Sequence, residues 1–317
     1  MKTLVTGCAG FIGSTLVDRL LNDGHKVTGI DNFSTGQRPF LDGALKSPNF
    51  KLFESDILNP KGLADIFSGH EIVFHLAANA DVRFGTDNPR RDLEQNTIAT
   101  YNVLEAMRAN SIKKIIFSST GSVYGEAAVI PTPENCPFPI QTSLYGASKS
   151  ACEGLIAAYS EGFEFQSWIF RFVSILGERY THGHVYDFYQ KLKMDPTHLL
   201  VLGNGMQRKS YLYVQDCIDA IFLALRKADN KVNIFNLGSN GYCKVNDSIS
   251  WISNELGLNP DLEFTGGERG WIGDNPFIFL DTHKIESLGW VPKVSIKEGV
   301  IKTINYLRAN EWVFNAR

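Results

Sequence analysis

Lys2-Thr3-Leu4-Val5-Thr6-Gly7-Cys8-Ala9-Gly10-Phe11-Ile12-Gly13 opens the chain, and Val27-Thr28-Gly29-Ile30-Asp31 follows after one periodic apolar segment. The reading of these 31 residues decides the fold. An apolar run ends in a glycine turn, a helix-period segment runs to Leu21, and a second apolar run closes on an acid. Each glycine has its own task. Gly7 takes the tight turn out of the first strand, where a side chain would clash. Gly10 lets the backbone approach a pyrophosphate, and Gly13 lets the helix pack on the strand. The N–H groups at the helix start, around Phe11 and Ile12, and its positive dipole end favour a phosphate group. Asp31 can accept hydrogen bonds from a ribose diol. An acid there selects NAD, because it would repel the 2′-phosphate of NADP. Strand, glycine turn, helix, strand and acid, in that order, predict a dinucleotide-binding unit.

Strand and helix signals keep alternating beyond it. Lys51-Leu52-Phe53-Glu54, Ile72-Val73-Phe74-His75-Leu76, Lys114-Ile115-Ile116-Phe117-Ser118 and Ser167-Trp168-Ile169-Phe170-Arg171-Phe172 read as strands. Residues 96–109 and 144–159 read as helices. Such alternation implies an α/β fold, a Rossmann-type doubly wound parallel sheet with ligands beyond the carboxyl ends of its strands. After Phe172 the alternation weakens, although Asn233 to Gly238 looks like one more strand. We expect residues 1–173, with a returning segment about 212–239, to form an NAD-binding Rossmann domain. Residues 174–211 and 240–317 form a smaller α/β substrate lobe.

The chain has 317 residues, 44% hydrophobic and 21% charged, with a net charge of −3, which argues against a nucleic-acid or anionic-membrane surface. No apolar run is long enough to span a bilayer. Met1 leads straight into a strand, so no signal segment is expected. The five cysteines, Cys8, Cys136, Cys152, Cys217 and Cys243, show no metal spacing and read as reduced thiols of a cytoplasmic protein. No metal is expected.

Tyr145-Gly146-Ala147-Ser148-Lys149 places Tyr and Lys four apart on one helix face. A free Tyr titrates near ~10 and is a poor base at neutral pH. A neighbouring ammonium and a positive nicotinamide ring both favour the phenolate. A surface i,i+4 pair without chemistry is the competing reading of this spacing. At the end of the preceding strand, Ser118-Ser119-Thr120-Gly121-Ser122-Val123-Tyr124-Gly125 offers a hydroxyl to the oxygen whose proton Tyr145 takes, and Thr120 is the candidate. The other hydroxyls can simply cap the loop.

These segments resemble the extended branch of the short-chain dehydrogenase/reductase family, and within it the nucleotide-sugar epimerases and dehydratases. The likeness covers nearly the whole length. It includes Gly7 to Gly13, Asp31-Asn32, Asp56-Ile57, His75-Leu76-Ala77-Ala78, Asn96, Ser119 to Gly125, Tyr145 with Lys149, and Arg171-Phe172. It continues through Gly203 to Gln207, Tyr213 to Asp216 and Leu288-Gly289-Trp290-Val291-Pro292. The resemblance implies cofactor contacts from Asn32, Leu76, Ala78 and Asn96 as well, with Asp56 and Ile57 at the adenine, Ala77 along the cofactor and Lys149 on the nicotinamide ribose. Plain packing is the alternative for Ile57 and Ala77. In the related 4,6-dehydratases an Asp-Glu pair fills the positions of Gly121 and Ser122, and decarboxylases usually carry Glu at Ser122. Without those acids elimination has no acid/base pair. A 4-epimerase is then implied. Tyr145 takes the proton of the sugar 4-hydroxyl, hydride passes from C4 to a tightly bound NAD, and the 4-keto sugar turns over before hydride returns to its other face.

The resemblance also implies a nucleoside diphosphate in the second lobe, most simply on UDP-glucose or UDP-galactose. Lys209 and Arg269 are candidates for its phosphates. Relatives often carry an Arg-Asp pair where Lys209-Ser210 stands, and Lys lacks the bidentate fork of Arg. They usually carry Asn at Ser174, near the sugar-phosphate. Ser122, Ser174, Arg179 and Asp274 complete the substrate candidates. Arg179 could meet a glucuronosyl carboxylate, and the donor-rich segment Arg179 to His184 either covers the sugar or packs the lobe. Epimerisation of UDP-glucuronic acid or a UDP-N-acetylhexosamine therefore stays open, as does a non-catalytic NAD-sensing protein. A homodimer is implied, through a four-helix interface built from residues 97–109 and 147–159.

Overall fold

The computed structural model describes residues 1–82, 84–137, 140–270, 275 and 277–315. Seven strands form one parallel sheet: β1 (Lys2–Thr6), β2 (Lys26–Asp31), β3 (Phe50–Glu54), β4 (Ile72–His75), β5 (Lys114–Thr120), β6 (Gln166–Phe172) and β7 (Val232–Leu237). Their spatial order is β7-β6-β5-β4-β1-β2-β3. In this register Thr3 faces Val27 of β2 on one side and Ile72 of β4 on the other. The chain winds outward in both directions from β1, so the crevice at the carboxyl ends of β1 and β4 is the ligand position of such a sheet. The strands form because runs such as Ile72-Val73-Phe74 can be buried on both faces, and every residue of β4 is buried.

Three helices carry the side chains that matter: α1 (Phe11–Asn22), α2 (Ala99–Ala109) and α3 (Leu144–Phe163). Val103, Leu104 and Met107 of α2 and Cys152 and Ile156 of α3 close the core over Leu4, Val73, Ile115 and Ile169. Ser143 caps α3, its hydroxyl accepting the Gly146 N–H at 3.0 Å, a contact of about 1 kcal/mol. One feature departs from the expected helix over 96–109. Leu93–Ile98 is a π-helical turn, and regular α-helix begins only at Ala99. The wider turn sets Asp92 and Asn96 inward, each 1% exposed.

The chain forms two compact units: residues 1–123, 143–171 and 221–235, and residues 124–142, 172–220 and 236–317. These bounds differ from those expected. Residues 124–142 belong to the second unit, where the Thr132 N–H donates to the Phe279 carbonyl and the Thr132 carbonyl accepts from Asp281 and Asn236. Residues 212–220 also belong there, because Asp216 accepts from Trp290 Nε1 and from the Lys293 and Val294 N–H groups. The five cysteines are free thiols, four of them buried. Among the described residues no helix is long and apolar enough to cross a membrane, and no group of His, Cys, Asp or Glu could hold a metal ion.

Candidate active site

The glycine turn follows from β1 and its neighbours. Gly7 has φ +69°, and a Cβ there would lie 2.7 Å from the Ala77 nitrogen. A Cβ on Gly13 would lie 2.0 Å from the Gly7 carbonyl oxygen, so the start of α1 can only rest on the turn without a side chain. Asp31, at the end of β2, is buried and serves this turn. Its two oxygens accept the Ala9 N–H at 2.8 Å and the Phe33 N–H at 2.9 Å. Burial pushes its pKa up, and those two bonds pull it down. Beyond β3, Asp56 accepts from Asn32 Nδ2 at 3.1 Å and from the Leu58 N–H at 2.8 Å. Gly7, Gly10, Ile12, Asn32, Asp56, Leu76, Ala77 and Ala78 keep partial exposure, while Phe11 and Ile57 are buried.

The hydroxyls at the end of β5 divide as strand alternation requires. Ser119 points to the buried Glu153–Arg171 pair, bonding the Glu153 carboxylate that Arg171 holds through Nε and Nη2. Ser118 donates weakly to the His75 carbonyl. Thr120 shares a hydrogen bond with the Tyr145 hydroxyl and accepts the Ser122 N–H at 3.1 Å. Lys149 is 2% exposed. Its ammonium donates to the Ser118 carbonyl at 2.9 Å and lies 4.7 Å from the Phe117 ring centroid. The structure therefore sets Thr120 beside Tyr145, and Lys149 on the Ser118 carbonyl two residues before Thr120. It corrects the electrostatics expected of them. Burial pushes Tyr145 up to about 12, with the Thr120 bond pulling the other way. Burial brings Lys149 down to about 8, opposed by Cys152, Glu153 and Asp92. Desolvation is the largest influence on both groups, and Lys149 is not among the groups that act on the phenol.

Asn96 does not stand alone. Its Oδ1 accepts the Asn79 N–H at 2.9 Å, and its Nδ2 donates to Ser148 Oγ at 2.8 Å. Ser148 Oγ in turn donates to the Tyr145 carbonyl at 2.8 Å. His75, at the end of β4, is wedged between Thr6 and Thr100 at 2.7 and 3.0 Å, and burial drives it down to about 3, so it is neutral. Residue reasoning missed Asn79, Asp92, Glu153 and the hydroxyl partners of His75. Only the four-residue step from Lys149 to Glu153 on α3 signalled any of them.

The second unit uses its candidates locally. Lys209 Nζ donates to the Asn275 carbonyl at 2.6 Å. Arg269 pairs with Glu126 at 2.5 Å. Arg179 has φ +68° and, with Glu178, acts on Tyr306. Glu178 accepts the Tyr213 hydroxyl at 2.5 Å. His184 bonds Ser248 at 2.6 Å with its ring 4.6 Å from that of Tyr211, and desolvation drives it down to about 3. It packs the unit rather than offering a donor. Ser174 is exposed. Asp274 lies outside the described residues.

Residues 3–238 match the NAD dependent epimerase/dehydratase family. The chain belongs to that family. A UDP-glucose 4-epimerase of Mycolicibacterium smegmatis is 34% identical over 315 residues, covering 97% of this chain and 99% of the relative. A crystal structure of a UDP-galactose 4-epimerase superposes with TM-score 0.88 at 36% identity, over 98% of this chain and 100% of that one. The UDP-glucuronic acid 4-epimerase of Bacillus cereus, solved with UDP-glucuronic acid and NAD, gives TM-score 0.89 at 28% identity, over 98% and 99%. For a member of the epimerase/dehydratase family the cofactor must fit the residues present, and it does. Helix α1 starts at Gly10 with no side-chain cap over its first turn, which leaves the dipole end for a phosphate. Asp31 Oδ2 holds the turn at Ala9 and Oδ1 holds the Phe33 N–H, and each oxygen keeps a further lone pair for a ribose hydroxyl.

Proposed function

We propose that this nucleotide-sugar 4-epimerase interconverts UDP-glucose and UDP-galactose, with Tyr145 as base, Thr120 as the hydroxyl that holds the sugar 4-oxygen, and Lys149 as the fixed positive charge behind them. The shared hydrogen bond of Tyr145 and Thr120 carries this reading. Both hydroxyls address one point, where a carbinol proton would be taken. When bound, oxidised NAD would place positive charge beside the phenol, accept hydride from sugar C4 and return it. Tyr145 accepts the 4-hydroxyl proton and gives it back when the carbinol reforms. Thr120, whose Oγ already accepts the Ser122 N–H, directs its own proton to the substrate oxygen. Lys149 stays fixed on the Ser118 carbonyl. Gly121 and Ser122 supply no carboxyl group, which disfavours elimination.

We prefer a neutral hexose to a hexuronic acid, since Arg179, the candidate for a hexuronic carboxylate, follows the carboxylate of Glu178 directly in the chain. The substrate phosphates fall to Lys209 and Arg269 in this reading. A homodimer through α2 and α3 is part of the proposal, supported by apolar side chains left outward there, such as Tyr101 at 46% and Leu144 at 46% exposure. Incubation with UDP-glucose, UDP-glucuronic acid and UDP-N-acetylglucosamine, followed by proton NMR of the anomeric signals, tests the substrate. Galactose formation from the first is expected, and turnover of only the second or third would replace it.

A further inference from the structure

Asp92 is a buried carboxylate that the proposed chemistry leaves unused. It ends the short helix Pro89–Asp92 and is 1% exposed. Its Oδ1 accepts from Asn79 Nδ2 at 2.7 Å and, more weakly, from Asn96 Nδ2 at 3.4 Å. Its Oδ2 is buried with no hydrogen-bond partner among the described residues. Gly85 leaves room for that oxygen, since a Cβ on Gly85 would lie 2.1 Å from it. A buried oxygen without a donor is costly. An asparagine would keep the same Oδ1 acceptor for Asn79 at no charge. What aspartate adds, when ionised, is a negative charge that acts on Tyr145 and Lys149, although burial raises its own pKa. Asn96, which donates to Asp92, also donates to Ser148, and Ser148 donates to the carbonyl of Tyr145.

We propose that Asp92 is a positioning residue whose charge, held beside Tyr145 and Lys149 by the Asn79–Asn96–Ser148 bridge, sets the pH range over which that pair works. The inference rests on Tyr145 being the base. Among the described residues, Arg91 and Asp81 face Asp92, together with Lys149. Asp92 and Cys152 act on Tyr145, and Cys152, Glu153 and Asp92 act on Lys149. His75, which also feels Lys149, stays neutral. The signs follow. A negative Asp92 opposes the phenolate and raises Tyr145. The same charge supports the ammonium and raises Lys149. Asp92 thus raises both groups, and the two limits of activity that they set move in one direction.

The test is the pH profile of kcat/KM for Asp92→Asn and Asp92→Ala, each loaded with NAD. Both limbs should move to lower pH, by about one unit, with NAD content unchanged. A loss of activity that is uniform across pH, with neither limb displaced, would mean a structural role only and overturn the proposal. Opposite movement of the two limbs would overturn it as well. If neither variant folds, carbon-13 NMR of the wild-type holoenzyme decides. An Asp92 carboxyl signal that shifts again as Tyr145 ionises supports the coupling, and a signal blind to that step sinks it. Tyr145→Phe separates the two claims. Activity retained in that variant removes the base and this inference together. An inactive Tyr145→Phe beside an Asp92→Asn profile that has not moved removes this inference alone.

Discussion

The two compact units place the charged candidates of the proposed site in opposite ways. In the first, charges are buried and knotted to one another: Glu153 with Arg171 and Ser119, Lys149 on the Ser118 carbonyl, Asp92 with Asn79 and Asn96. In the second, the cations proposed for the substrate phosphates lie nearer the surface and already have local partners, Lys209 on the Asn275 carbonyl and Arg269 on Glu126. A dry network is rigid and expensive to alter, whereas a half-exposed cation exchanges one partner for another at little cost. In the function proposed above, the reaction belongs to the first unit and the choice of sugar to the second.

Five experiments break or sharpen that contrast. The largest effect is expected from Tyr145→Phe, with kcat falling by roughly 10²–10⁴ while NAD stays bound, as measured by NMR turnover and by the mass of released cofactor. Next comes the Glu153–Arg171 pair. Changing Arg171→Met alone strands a buried carboxylate and should cost about 3–5 kcal/mol in denaturant unfolding, whereas Glu153→Leu with Arg171→Met together should recover most of it. A single variant as stable as wild type would show that the network is looser than its geometry. Asp31→Ala should weaken NAD binding by about ten- to a hundredfold, reflecting roughly 1.5–3 kcal/mol of charge-assisted bonding, with kcat preserved at saturating cofactor.

The fourth experiment concerns pH. His75 is depressed in the fold to about 3 from an ordinary 6.5, so the unfolded chain takes up a proton that the native one refuses. Stability is therefore full above about 6.5 and lost as pH falls toward 3. His75→Gln should remove up to about 1.4 kcal/mol per pH unit of that slope, read from urea midpoints between pH 6 and 4.5. The smallest effect belongs to the second unit. Lys209→Ala should raise KM for the nucleotide sugar about fivefold with kcat nearly unchanged, consistent with a contact of about 1 kcal/mol. A collapse of kcat in that variant would erase the division of labour.

The first unit was largely legible because its signals are local. A glycine turn between a strand and a helix, buried β-branched runs and a four-residue Tyr–Lys step each follow from backbone periodicity. The π turn at Leu93–Ile98 left no such trace, since no side-chain spacing marks one extra residue in a helix. Asp92 and Asn79 stayed hidden for the same reason: their pairing depends on where that turn sends them. The depression of Lys149 and the elevation of Tyr145 come from desolvation, which only the packed structure determines. In the second unit the candidates were chosen by charge alone, and charge does not reveal that Glu126 waits beside Arg269 or that His184 is packed on Tyr211.

The π turn has one more consequence. A deletion of a single residue between 93 and 98 would replace the wide turn by ordinary pitch, and the inward bearing of Asp92 rests on that wide turn. The apolar stripe of α2 keeps its phase and the core keeps its closure, but Asp92 swings off its inward bearing. Shape and the proposed chemistry are thus separable by one codon, and a lineage that lost that codon would retain the scaffold while giving up the placement proposed here for Asp92.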